Sequence, residues 1–132
     1  MIYLASPYSD PDPAVREARF QAVCRKAAAM LRCGVTVFSP IAHTHPIAAH
    51  GLPMEWAFWK AHDHAFLEAC SEVRVLMLDG RRESKGLSAE IALASELRKP
   101  VVYVEPCDDM DTKKNTPAGT GVSKKGSQDA TC

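Results

Sequence analysis

Two carboxylates carry the strongest chemical signal in this chain. Glu90 falls one turn inside a helix that opens at Gly86 or Leu87, within Ser84-Lys85-Gly86-Leu87-Ser88-Ala89-Glu90. It stands beside Leu87, Ile91 and Ala94 on the side that should face a sheet, where a carboxylate is costly unless paired or used. The plainer alternative is a first-turn Glu stabilised by the helix dipole. Asp63 is the second. Trp59, Asp63, Phe66 and Cys70 share one helix face by their spacing, so Asp63 interrupts an apolar stripe; the plainer alternative is a surface Asp flanked by His62 and His64. Two carboxylates over one pocket suit glycosidic bond cleavage, one attacking the anomeric carbon or activating water and the other managing the leaving group's proton.

Other candidates are polar loop residues. The small residues of 84–88 leave backbone N–H groups accessible at a helix N-terminus, which suits an anion, with Ser84, Gly86 and Ser88 as the contacts. Ser6-Pro7-Tyr8-Ser9 follows the first strand and can offer hydroxyls and backbone donors to a sugar; an ordinary Pro-containing turn is its bland reading. Asp79 opens the charged loop 79–85 and is a further candidate substrate contact. His43, His45, His50, His62 and His64 match no fixed zinc pattern, since His43 and His45 would share a side only in an extended loop. No metal and no cofactor are expected, and His45 reads as a substrate contact. None of the five cysteines forms a C-x-x-C pair, and Cys24 and Cys70 fall at apolar helical positions as small buried hydrophobes.

The elements that must position these residues alternate strand and helix. Met1–Ala5 reads as a strand, and a helix follows from about Ala14 to Arg32 with Phe20, Val23, Cys24, Ala27, Met30 and Leu31 on one apolar face. Val35–Phe38 is a second strand. Ser39 to Pro53 reads as a loop, Met54 to Cys70 as a helix, Val73–Leu78 as a third strand, and 86–99 as a helix. Val101–Val104 is a fourth strand. This pattern predicts a small doubly wound parallel sheet of four to five strands with helices on both faces. Ligands in such folds bind at the carboxyl ends of the strands, here the loops after Ala5, Phe38 and Leu78. Met54, Trp56 and Trp59 could shape a base pocket, but at least one Trp is expected in the core.

The 132 residues divide at Glu105-Pro106. Residues 1–105 form the α/β domain, while 107–132 contain no Leu, Ile or aromatic residue and read with Pro106 as a disordered polar tail. Sixteen basic and sixteen acidic residues cancel, which argues against holding a nucleic-acid polymer by bulk charge but not against a single nucleotide. No apolar run approaches the ~18–20 residues of a bilayer span, and the chain begins directly in strand-like sequence, so a cytoplasmic protein is expected.

Ile2-Tyr3-Leu4-Ala5-Ser6-Pro7-Tyr8, Asp63 through Cys70, and Ser84 through Ala94 together resemble the nucleoside 2-deoxyribosyltransferase superfamily, particularly its small bacterial and phage members with the Thr44-His45-Pro46-Ile47 segment. The resemblance implies a Rossmann-like homodimer in which Glu90 matches the nucleophile on C1′, Asp63 assists the nucleobase and Gly86 approaches the 5′ end. Ser84 stands where the transferases carry a carboxylate and the related 2′-deoxynucleoside 5′-monophosphate hydrolases carry a phosphate-binding serine. A carboxylate repels a phosphate dianion and a hydroxyl can donate to it. Against that, the hydrolases' Gly-rich, Arg-containing first loop is here Ser-Pro-Tyr, and Ala92 replaces a common glycine. The expectation is an N-glycosidase acting on a deoxynucleoside monophosphate, with Tyr8 positioning Glu90. The alternatives are a base-exchanging transferase and a nucleotide-binding sensor without turnover.

Overall fold

The computed structural model describes residues 1–107, so the tail expectation falls, from residue 108 onward, outside the described residues. The elements are β1 (Ile2–Ala5), α1 (Pro13–Arg32), β2 (Val37–Phe38), α2 (Pro40–Ala48), α3 (Trp56–Ala69), β3 (Glu72–Leu76), α4 (Lys85–Glu96) and β4 (Val101–Val104). The strands form one four-stranded sheet in the order β2-β1-β3-β4, with every pairing parallel. This is the α/β class read from the sequence.

β1 is buried along its whole length because both sheet faces are covered. Tyr3 and Ala5 pack with Leu67 and Cys70 from the end of α3 and with Leu87 and Ala94 of α4. Ile2 and Leu4 point the other way and pack with Val23 and Met30 of α1, with Ile41 and Ala42 of α2 alongside. Two-residue periodicity in β1 thus sorts the helices into two layers. The chain runs from β1 to β2 on one side and then crosses to β3 on the other. The sheet's switch point therefore lies between the carboxyl ends of β1 and β3, where a doubly wound sheet opens a crevice.

Helix starts follow capping chemistry. The Asp12 carboxylate accepts from Ala14 N–H at 2.9 Å with Pro13 as the first helical residue, and Gly34 takes φ +84° just past the end of α1. Ser84 caps α4 by accepting from Leu87 N–H at 3.2 Å.

Three expectations are corrected. The stretch 39–53 is not all loop: α2 occupies Pro40–Ala48, started by the Ser39 hydroxyl accepting from Ala42 N–H at 3.0 Å and by Pro40, and it continues through Pro46. In the α1 stripe Val23 and Met30 are buried with Ala27 packed beside them as expected, but Ala22 and Lys26 join them, Leu31 is 59% exposed and Cys24 half-buried, while Cys70 is buried. Neither Trp56 nor Trp59 enters the core; both are half-buried, and the Trp59 indole N–H donates to the Pro53 carbonyl at 2.9 Å. Among the described residues no helix is long and apolar enough to cross a membrane.

Candidate active site

Glu90 is 5% exposed and Asp63 7% exposed, on the two helices that cover one sheet face. The phenol of Tyr3, itself wholly buried in β1, donates to Glu90 Oε2 at 2.7 Å. The Asp63 carboxyl interacts with Glu90 by both charge and hydrogen bonding, so strand β1, helix α3 and helix α4 each contribute one member of a buried acid cluster. Burial pushes Glu90 up to about 8; the Tyr3 hydrogen bond opposes that rise and the neighbouring Asp63 adds to it. Burial also raises Asp63, against the downward pull of His62 and His43. Tyr3 is driven far above the ordinary phenol range, first by burial and then by Glu90, so it stays a donor. Two buried acids of unequal environment divide naturally into a proton holder and a charged partner.

Histidines border this cluster. His62 Nδ1 lies 3.2 Å from Asp63 Oδ1, and the His62 ring lies parallel to that of His43 (9°, centroids 5.8 Å apart). Phe38 and Phe66 stack at 4.0 Å beside them, and Trp59 meets His62 edge-on.

The loop residues divide between this cluster and other places. Tyr8, expected to position Glu90, instead bonds His45 Nδ1 at 2.6 Å, while His45 Nε2 reaches Glu17 Oε1 at 3.0 Å and Phe20 stacks on the imidazole at 4.2 Å. His45 lies two residues from His43 on α2, roughly 200° around the helix, so one histidine turns toward Asp63 and the other toward Tyr8. Ser6 and Pro7 are buried, and the Ser6 hydroxyl has no hydrogen-bond partner among the described residues. Ser9 and Asp79 are exposed. Their carbonyls, with that of Tyr8, accept from Arg19 at 3.0–3.2 Å, and this guanidinium ties the loops after β1 and β3 together. Gly80 has φ +90°, and a Cβ there would collide with the same guanidinium.

Gly86 precedes Glu90 by one turn on the same side of α4, while Ser84 caps the helix N-terminus. A Cβ on Gly86 would meet the Trp56 ring at 3.5 Å, an ordinary contact. Ser88 does not share that side. Two positions from Glu90, and thus ~200° around the helix, it lines a groove of about 490 Å³ with Met77, Arg81, Arg82 and Tyr103. Among the described residues no three His, Cys, Asp or Glu side chains cluster as metal ligands.

Tyr3 and Arg19 escape a reading of the sequence. A tyrosine in a four-residue apolar strand reads as core, and its hydroxyl partner lies 87 residues away. Arg19 reads as a solvated helix charge; nothing local announces three carbonyl partners.

Residues 1–106 match the family model described as "Domain of unknown function (DUF1937)". The chain belongs to this family. No curated protein matches it. Among solved structures, the DUF1937 chain is similar to the 2-deoxyribosyltransferase of the psychrotolerant bacterium Bacillus psychrosaccharolyticus, at 20% identity and a TM-score of 0.55 over 87% of this chain and 90% of that one. The likeness shows that this chain has the nucleoside 2-deoxyribosyltransferase-like fold that the sequence resemblance implies.

Proposed function

We propose that this protein is an N-glycosidase that cleaves the base from a 2′-deoxynucleoside 5′-monophosphate, with Glu90 as nucleophile. The observation that carries the reading is the buried cluster of Glu90, Asp63 and Tyr3; the fold shared with a 2-deoxyribosyltransferase supports it. The pair carries one proton, held at rest by Glu90 beside the Asp63 carboxylate. As it passes to Asp63, the freed Glu90 oxygen attacks C1′, the C1′–N bond breaks with its electron pair going to the base, and Asp63 delivers the proton to the base nitrogen. Water then attacks C1′ of the ester. The C1′–O bond to Glu90 breaks, and the water's proton returns to Asp63. Tyr3 donates to Glu90 throughout and orients the attacking oxygen.

The monophosphate is favoured by Ser84, whose oxygen accepts from Leu87 N–H and whose proton can be donated to a phosphate, together with Lys85 and the Gly86 N–H at the α4 N-terminus. Ser88 lies one turn beyond Ser84 but ~200° around α4 from Gly86 and Glu90, so we leave it out of the phosphate contact. Both carboxyls are nearly sealed, so substrate entry requires side chains around them to part; half-buried Trp56 and His62 border Gly86 and Asp63. We also infer a cytoplasmic location and a homodimer, the latter supported by exposed Val102 and Tyr103 on edge strand β4 and tested by sedimentation.

The reading is tested by incubating the purified protein with each common deoxynucleoside monophosphate, beside the matching nucleosides, and separating free bases by chromatography. Base released from a monophosphate without an acceptor is the expected result. Release only with a second base and an unphosphorylated nucleoside makes the protein a transferase, and binding without release makes it a sensor.

A further inference from the structure

In the glycosidase reading, Asp63 gives up a proton and regains it in each cycle, yet it is almost closed to solvent. The groups facing its carboxyl are Glu90 from α4, Tyr3 from β1, His43 from α2 and His62 from its own helix. Glu90 is at least as buried as Asp63, and Tyr3 is held as a permanent donor to Glu90. His43 acts on Asp63 by charge and lies against His62 and Phe38. His62 differs from all of these. Its Nδ1 lies 3.2 Å from Asp63 Oδ1, and its side chain is 36% exposed against 9% for that of Asp63. Its ring is held between the edge of Trp59, the parallel ring of His43 and the tilted ring of Phe66. One ring nitrogen thus meets the buried acid while the ring as a whole reaches water.

We propose that His62 is the positioning and proton-relay residue of the site, holding Asp63 through Nδ1 and exchanging its proton with solvent through Nε2. The proposal rests on the reading of Asp63 as the acid that serves the leaving base. When Asp63 has delivered its proton to the base nitrogen, the Nδ1–H of His62 donates to the new carboxylate and stabilises it. The imidazole takes a proton from water at Nε2 as it passes the Nδ1 proton to Asp63. In the hydrolytic half Asp63 first returns that proton to His62 Nδ1 while Nε2 loses one to solvent, and the freed carboxylate then takes the attacking water's proton, so the cycle creates and consumes no net proton. The paired carboxylate also fixes the tautomer: neutral His62 carries its proton on Nδ1.

Two experiments separate this proposal from the reading beneath it. The first needs no substrate. Nitrogen-15 NMR of the imidazole side chains is expected to show His62 in the Nδ1–H tautomer, with Asp63→Ala converting it to the Nε2–H form. An unchanged His62 pattern in that variant overturns the proposal even if the enzyme is fully active. The second uses turnover. His62→Ala is expected to lower kcat at least tenfold with KM within twofold, and added imidazole is expected to restore part of the rate. An unchanged kcat, or a loss that imidazole leaves untouched in a variant with native circular dichroism, overturns the relay. An inactive wild-type protein that nevertheless shows the tautomer switch refutes the glycosidase reading while the His62–Asp63 pairing stands.

Discussion

Two clusters among the described residues, each built on a glutamate hydrogen-bonded to a tyrosine or histidine, behave in opposite ways. Glu90 is buried with Tyr3 and Asp63, and its carboxyl is pushed up to about 8. Glu17 is exposed on α1, bonded to His45 and Gln21, and those hydrogen bonds pull its carboxyl below the usual range. Similar partners therefore give a poised acid in one place and an ordinary anchored carboxylate in the other. The difference is water: desolvation dominates at Glu90, whereas at Glu17 it is the lesser effect and hydrogen bonds decide. The first cluster is the one to which we assign the chemistry, and the second holds α1, α2 and the loop after β1 together.

The largest contrast should come from Glu90→Gln against Glu17→Gln. The first is expected to lower base release by at least ~10³-fold and the second by less than ~3-fold, both read by chromatography of free base. Equal losses would erase the distinction between the clusters. Asp63→Asn comes next, with an expected loss of ~10²–10⁴-fold that is greatest for poor leaving bases. A loss uniform across bases would remove Asp63 from the proton role.

Tyr3→Phe sharpens the comparison through pH. The Tyr3 phenol stabilises the Glu90 carboxylate, so its removal should raise Glu90 further and move the basic limb of kcat/KM, where the pair loses its one proton and which is expected near pH 8 in the wild type, to higher pH. Hydrogen bonds to charged groups contribute ~1.5–3 kcal/mol, which sets the expected fall in rate at roughly tenfold or more. A limb that stays in place would mean that another group controls it.

The last contrast should appear in stability, where the two effects run in opposite directions. Glu90 titrates higher folded than unfolded, so its contribution is full below the ordinary carboxylate range and is lost as pH rises toward about 8, by ~1.4 kcal/mol for each pH step of one. Thermal melts should therefore show the wild type weakening against Glu90→Gln between pH 5 and 8. Glu17 is lowered, so its contribution is present above the carboxylate range and fades on acidification. Glu17→Gln should narrow its deficit only at low pH.

Much of the fold and the acid pair is legible in the sequence, for reasons that can be stated. Glu90 and Asp63 stand out because a carboxylate in an apolar helical stripe is costly, and both are buried. The parallel sheet follows from apolar strands separated by long helices. Helix α2 is hidden because Pro40 and Pro46 read as loop punctuation, although Ser39-Pro40 is also a helix-start signature. Without α2, the approach of His43 to Asp63 and of His45 to Tyr8 is hidden too. Tyr8 looks better placed than Tyr3 because loop hydroxyls look available, whereas the hydroxyl that reaches Glu90 comes from inside a strand. Ser88 groups with Ser84 in sequence and stays one turn from it, but helical phase sets it ~200° around α4 from Gly86 and Glu90.

The most direct test of the central claim is to quench the protein during turnover of a deoxynucleoside monophosphate and measure its mass and that of the peptide containing Glu90. A deoxyribosyl phosphate ester on Glu90 is expected, absent from Glu90→Gln, which should also release no base. Base release with no adduct at any quench time, together with a Glu90→Gln variant that keeps its rate, would contradict it.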